Sequence, residues 1–246
     1  MKVETKNFFM SVQFVIGLCI IVSAVIFSLA FYNSRLTTDA ISVTGSASKA
    51  VVSDNAKFSG NFSRIVKLSS LKSGYAQMAG DLVLVKKFLA DNKIPDSAVT
   101  ISPVSMEQNY DYNQNNVSAA EKDYTLRQNV EIASNNVAQI TALAKATDAL
   151  INQGVIFNVN QVQYYYNNLP QVRVELLADA VKDAQARATK LVESTGKKLG
   201  GLKAAASGVV QVLPENSLEI SDYGTYDTSS VNKNIMVTVK ASFNLK

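Results

Sequence analysis

Residues 231–246 read VNKNIMVTVKASFNLK, and there Val231, Ile235, Val237, Val239, Ala241, Phe243 and Leu245 alternate with Asn232, Asn234, Thr238, Lys240, Ser242 and Asn244. Successive side chains of a strand point to opposite sides, so this alternation predicts a strand with one buried and one wetted face. Strands of a doubly wound sheet, covered on both faces, would be apolar throughout. The chain is therefore expected to be α+β: a mainly antiparallel sheet packed with about three helices, preceded by one N-terminal transmembrane helix.

The other elements fit that class. "ISVTGS", with Ile41 and Val43 on one parity and Gly45 at its end, predicts a short strand able to pair with the next one, "VVSDNAKFSGNFSRIV". In the latter Val52, Ala56, Phe58, Phe62 and Val66 share a parity. Leu71, Tyr75, Met78, Leu82, Val85 and Leu89 recur at steps of four and three, which predicts a helix capped by Ser69 or Ser70 and stopped before Pro95. "SAVTISPVSMEQNY" and "DYTLRQNVEIAS" predict two strands joined by the loop "DYNQNNVSAAEK". A second helix is expected from about Val137, capped by Asn135 or Asn136, to Gly154. In "VIFNVNQVQYYYNN" the apolar parity slips from Phe157 and Val159 to Val162, Tyr164 and Tyr166, which predicts a bulge near Gln161. The third helix should run from Pro170 to Gly196 with a narrow inner stripe of Leu177, Ala180, Val181, Ala184, Ala188 and Leu191. A strand is expected from Leu202 to Leu213.

Residues 8–32, "FFMSVQFVIGLCIIVSAVIFSLAFY", hold no charge over 25 positions. A bilayer needs about 20 apolar residues and a signal-peptide core about 7–15, so length favours a retained anchor, marked by Phe8, Phe9, Val15, Leu18, Ile21, Val25, Phe27, Phe31 and Tyr32. Lys2 and Lys6, with Glu4 between them, point the N-terminus to the cytoplasm. The expected organisation is a short cytoplasmic N-terminus (1–7), a transmembrane signal anchor (8–32), a linker (33–39) and a folded domain (40–246). Ser28 and Ala30 stand at the small-x-small spacing of a signal peptidase site, so cleavage after Ala30 is the alternative.

Composition narrows the chemistry. The chain has no histidine and no tryptophan, and Cys19, its single cysteine, lies inside the apolar run. Triads, zinc sites and haem ligation lose their first candidate, and the part beyond the anchor can form no disulfide. No catalytic residue, cofactor or metal is expected. A net charge of +4 with scattered lysines does not indicate nucleic acid.

Short motifs yield to simpler explanations. Ser69-x-x-Lys72 and Ser53-Asp54-Asn55 stand in the wrong order for a penicillin-binding site, no K-T-G follows, and Asp54 falls on the apolar parity of a predicted strand. Asp111, Asn113 and Asn115 open like a calcium loop, but Asn116 and Lys122 occupy its glycine and glutamate positions. Lys197 and Lys198 lack the Walker spacing. Glu175, Asp179 and Asp183, interspersed with Arg173, Lys182 and Arg187, suit a solvated helix face. The tyrosines are different: Tyr110, Tyr112, Tyr164, Tyr165, Tyr166, Tyr223 and Tyr226 fall in or beside loops and strand ends. Tyrosine is enriched at protein interfaces, so Tyr110, Tyr112, Tyr164, Tyr166, Tyr223 and Tyr226 are candidates for contacts between subunits.

Five stretches in this order carry a resemblance: "ISVTGSASKAVVSDNAKF", "VKKFLADNKIPDSAVTISPVSMEQNYDY", "YTLRQNVEI", "LLADAVKDAQARATKLVESTGKKLG" and "VTVKASFNL". Over about residues 40–246 the chain resembles the SIMPL-domain proteins, a mostly bacterial group named after a kinase-interacting animal member and including an envelope immunogen of Brucella. The resemblance implies an α+β domain in the bacterial envelope, assembly of some members into large homo-oligomeric rings or cages, and a loose link to oxidative or envelope stress. It implies no catalytic residue. The family's usual proline before the aspartate of the second strand is Ser53 here. The expected location is the bacterial inner membrane, single pass, with a periplasmic domain, or the soluble periplasm if the chain is cut after Ala30. The expected partners are further copies of the chain and the lipid bilayer, with no nucleic acid.

Overall fold

In the computed structural model the described residues are 4–36, 40–109, 123–217 and 221–246. Helix α1 (Glu4–Leu36) contains Phe14–Tyr32, 19 residues apolar enough to cross a membrane and entirely unburied. At 1.5 Å per residue that stretch is about 28 Å long, close to the ~30 Å hydrocarbon core of a bilayer.

The chain beyond α1 comprises two compact units, 40–47 with 177–208 and 238–246, grouped with α1, and 48–176 with 209–237. Strands β1 (Ala40–Val52), β7 (Leu199–Pro214) and β9 (Asn232–Leu245) and helix α5 (Leu169–Glu193) contribute to both.

The larger unit is built on β2 (Asn55–Lys67), β3 (Val99–Ile101), β4 (Ser105–Gln108), β5 (Asp123–Ser134) and β6 (Phe157–Tyr165) in the order β3-β5-β2-β6, with β4 also on β5 and every pairing antiparallel. Alternate residues of β2 and β5 point inward: Ala56, Phe58 and Phe62 meet Leu126, Val130 and Ile132. Helix α2 (Leu71–Asp91) covers them with Met78, Val85, Phe88 and Leu89. Burying such side chains is worth about 1.5–3 kcal/mol each, which is what holds a unit with no disulfide together.

Several expectations shift in detail. Ser70 makes no side-chain cap, and α2 is entered through a 3-10 turn at Leu68–Ser70. Tyr75 is 43% exposed, because the buried position beside it is Gly74, where a Cβ would stand 2.7 Å from Val66. Asp81, also on the covered side, accepts two hydrogen bonds of 2.7 Å from Arg64, whose guanidinium donates further to the Gly154 carbonyl. The helix expected over 137–154 is two, α3 (Val137–Lys145) and α4 (Asp148–Asn152), interrupted where the Thr147 hydroxyl donates to the Ala144 carbonyl. Asn136 caps α3 by accepting from the Gln139 N–H. The bulge is present: the β2–β6 register shifts between Ser59 and Gly60, and the extra residue, Asn160, accepts from the Asn61 side chain.

Strand β1 does not pair with β2. It belongs to a second, four-stranded sheet in the order β1-β9-β7-β8, with β8 at Thr225–Tyr226, and it runs through Gly45 to an exposed Val52. The closing alternation of β9 attracts β1 because its long apolar face extends that of Ile41 and Val43. In the smaller unit Ala180, Ala184 and Ala188 of α5 lie fully buried with Val239, Ala241 and Phe243. Leu191, expected in that stripe, is 53% exposed, and Val192 is buried instead. The helix backbone lies so close to β1 that a Cβ on Gly45 would collide with the Ala180 carbonyl and the Ala184 backbone.

Gly45→Val should accordingly destabilise the protein by about 1–3 kcal/mol or more, read as a lower urea midpoint at unchanged m-value.

Candidate functional site

Strand β9 places Lys233 on its inward parity with Ile235 and Val237, and the Lys233 side chain is fully buried. Its ammonium donates to the Asp227 carbonyl at 2.5 Å and to Asp227 Oδ2 at 3.1 Å. The same carboxylate accepts from the Ser229 N–H at 2.9 Å, the Ser229 hydroxyl at 2.6 Å, the Ser230 N–H at 3.1 Å and the Ser230 hydroxyl. Burial alone would raise the Asp227 pKa, but the hydrogen bonds from Ser229, Ser230 and Lys233 outweigh it and hold the carboxyl well below its ordinary range.

This knot shapes the loop between β8 and β9, and the loop in turn gathers three chain segments. The Tyr164 N–H donates to the Thr228 carbonyl at 2.8 Å, the Ser53 N–H to the Val231 carbonyl at 2.9 Å, and the Asp227 N–H to the Val212 carbonyl at 2.8 Å. At the end of β6 the Tyr166 N–H donates to the Tyr226 hydroxyl at 3.0 Å, while the Tyr165 and Tyr226 rings pack with centroids 6.1 Å apart. Asp54, expected on a strand, sits in the β1–β2 turn and accepts from the Asn167 N–H at 2.9 Å.

The tyrosines therefore separate by environment. Tyr165, Tyr166 and Tyr226 form one partly exposed rim, and Tyr223 is 97% exposed. Tyr164 is a core residue: it is 8% exposed and its hydroxyl pairs with Thr141 at 3.0 Å. Odd-even alternation through the bulge turns it inward. Tyr110 and Tyr112 lie outside the described residues. The knot beneath the rim had a signal, a lysine at an inward position of an otherwise apolar strand face six residues after Asp227 in "DTSS".

The carboxylates of α5 are paired one by one: Glu175 with Lys49 at 2.8 Å, Asp179 with Lys182 at 2.9 Å, and Asp183 with Arg187 at 2.8 Å. Asp183 also accepts from the Ser46 N–H, and that bond, followed by the one to Arg187, lowers its pKa. Among the described residues no three His, Cys, Asp or Glu side chains gather where they could hold a metal ion.

Two further surfaces stand out. On α1, Val15, Leu18, Ile21, Val25, Phe27, Phe31 and Tyr32 are each more than half exposed, while the side chains of Phe8 and Phe9 lie outside the described ones. On β7, residues 201–207 (GLKAAAS) are exposed at every position, on both parities. Among the described residues β7 meets β9 on one side and, on the other, only β8 at Gln211 and Val212.

An α+β chain with antiparallel strands and one bare apolar helix at its N-terminus matches the SIMPL family, described as a protein of unknown function (DUF541), over residues 41–243. The chain belongs to the SIMPL family. No curated protein matches it.

Asp227→Ala strands a buried ammonium, so it should cost about 3–5 kcal/mol, whereas Lys233→Met with Asp227→Ala should recover much of that loss. Because the folded pKa of Asp227 is depressed, its contribution is complete above the unfolded carboxylate pKa and falls away with acidification below about pH 4. Urea titrations of the wild type and of the double variant across that range should show the wild type losing more stability.

Proposed function

We propose that this SIMPL protein is a non-enzymatic envelope scaffold, held single-pass in the bacterial inner membrane by α1, with its domain periplasmic and assembled into a large homo-oligomeric ring or cage. The observation that carries this reading is the side of β7 away from β9, where among the described residues Gln211 and Val212 alone have a strand partner, β8. Unpaired N–H and C=O groups of an edge strand are a template for another strand, and soluble proteins blunt such edges with charge, proline or a cover. Residues 201–207 offer one lysine and a run of small residues instead.

The sheet has its other edge at β1. Pairing the β7 edge of one chain with the β1 edge of the next is a heterologous contact, and such contacts close into rings when the rotation allows. The exposed Tyr223 and the rim of Tyr166 and Tyr226 supply amphipathic area for the same assembly. Each subunit adds one anchor, so a ring holds the membrane multivalently. The association of similar proteins with oxidative or envelope stress supplies the condition under which to look for a phenotype.

Native mass spectrometry of the chain extracted from its membranes in mild detergent tests this. The expected result is a full-length chain in a large uniform multiple, reduced to single chains by Ala204→Glu with Ala206→Glu while the thermal midpoint stays within a few degrees. A chain beginning at Phe31 in a small particle overturns the proposal in favour of a cleaved periplasmic binding module.

A further inference from the structure

Charge is distributed unequally over the folded part of the chain. Residues 40–47, 177–208 and 238–246 carry eight Lys or Arg against three Asp or Glu, whereas residues 48–176 and 209–237 carry thirteen against fifteen. The basic unit is also the one that continues directly from α1.

Hydrogen bonds fix which end of this unit faces the anchor. The Ser42 hydroxyl lies 2.6 Å from that of Ser242, so the start of β1 stands beside the end of β9. The Lys198 N–H donates to the Lys246 carbonyl at 2.9 Å and the Lys246 N–H returns a bond to Lys198 at 2.8 Å, so the start of β7 stands there too. The last turn of α5 reaches the same end through residues 194–198. Lys190, Lys197, Lys198 and Lys246 thus share the end at which β1 begins. Only eight steps of chain separate Tyr32 from Ala40, and residues 33–36 of these continue α1, so this end cannot be further than about 20 Å from the end of the apolar span.

Next to these lysines is a cavity of about 420 Å³ lined in part by Thr189, Glu193, Lys197 and Lys198. Glu193 pairs with Lys190 at 3.0 Å, and it is the acidic side chain among those lining residues. Leu191 stands exposed in the same turn of α5, beside an apolar groove formed with Val43 and Ala186. Exposed leucine flanked by long basic side chains is the composition of a surface that rests on a bilayer interface, where the ammonium groups meet phosphates and the stems lie along apolar area.

We infer that the end of the domain carrying Lys190, Lys197, Lys198 and Lys246 is a second membrane contact, which docks on anionic phospholipid head groups of the bilayer that α1 spans. The contact orients the domain close to the membrane and adds an electrostatic term to an apolar anchor. It rests on the anchoring part of the proposed function and is independent of self-assembly.

Hydrogen exchange followed by mass spectrometry, on the full chain in lipid nanodiscs, tests the docking. One set of discs is zwitterionic and the other contains about one anionic phosphatidylglycerol in three lipids. The expected result is several-fold slower exchange of amides in residues 190–203 in the anionic discs. The difference should vanish at about 1 M salt, where the screening length is ~3 Å. It should vanish as well in the Lys190→Gln, Lys197→Gln, Lys198→Gln variant, with exchange in β2 and β5 unchanged as the measure of an intact fold. Equal exchange in the two discs, or a slowing that survives the triple substitution, overturns the inference while leaving the anchor in place. Unprotected amides across Phe14–Tyr32, or a chain cut after Ala30, would remove the anchor itself and the docking with it.

Discussion

A lysine has been folded into the apolar face of β9, and much of the larger unit's loop structure depends on how its charge is met. The ammonium of Lys233 has no water to turn to, so the chain must bring it oxygen, and Asp227 supplies both its carbonyl and its carboxylate. The carboxylate is then saturated by the two serines that follow it. A loop constrained in this way has little freedom, and its remaining backbone groups dock on β6, β7 and the β1–β2 turn. A buried ion pair is weak evidence of stability and better evidence of a specified geometry. Here that geometry sets Tyr165, Tyr166 and Tyr226 on one rim.

The smaller unit relies on a different constraint, close approach. Three alanines and Gly45 let α5 lie against β1 at backbone distance, so small groups on the helix make close dispersion contacts with the larger Val239 and Phe243 side chains of β9. On β7, residues 201–207 are exposed among the described residues. The exposed stretch of β7 and the concentration of lysine are both properties of this unit.

Much of the architecture was legible because it rests on local periodicity. The alternation of residues 231–246, the helical stripes of α2 and α5, the slipped parity around Asn160 and the apolar run of α1 are each dictated by how side chains point from a strand or a helix. The places where expectation failed are those where a distant partner decides. Tyr75 and Leu191 keep the right spacing for burial, yet Gly74 and Val192 take the inner positions because of what packs opposite. β1 is close in the chain to β2, yet it pairs with β9, nearly 200 residues on.

By itself the sequence determined an apolar helix long enough for a bilayer, an α+β fold with antiparallel strands, and membership of the SIMPL family over residues 41–243. These follow from composition and short-range order along the chain. Tertiary structure alone decided that Tyr164 is core while Tyr223 is surface, that Lys233 and Asp227 meet, that among the described residues β7 pairs outward only at Gln211 and Val212, and that the lysines of residues 190–198 share one end with Lys246 and the start of β1. Each of these depends on strand pairing between residues remote in sequence, and pairing of that kind is chosen by the packing of the whole fold.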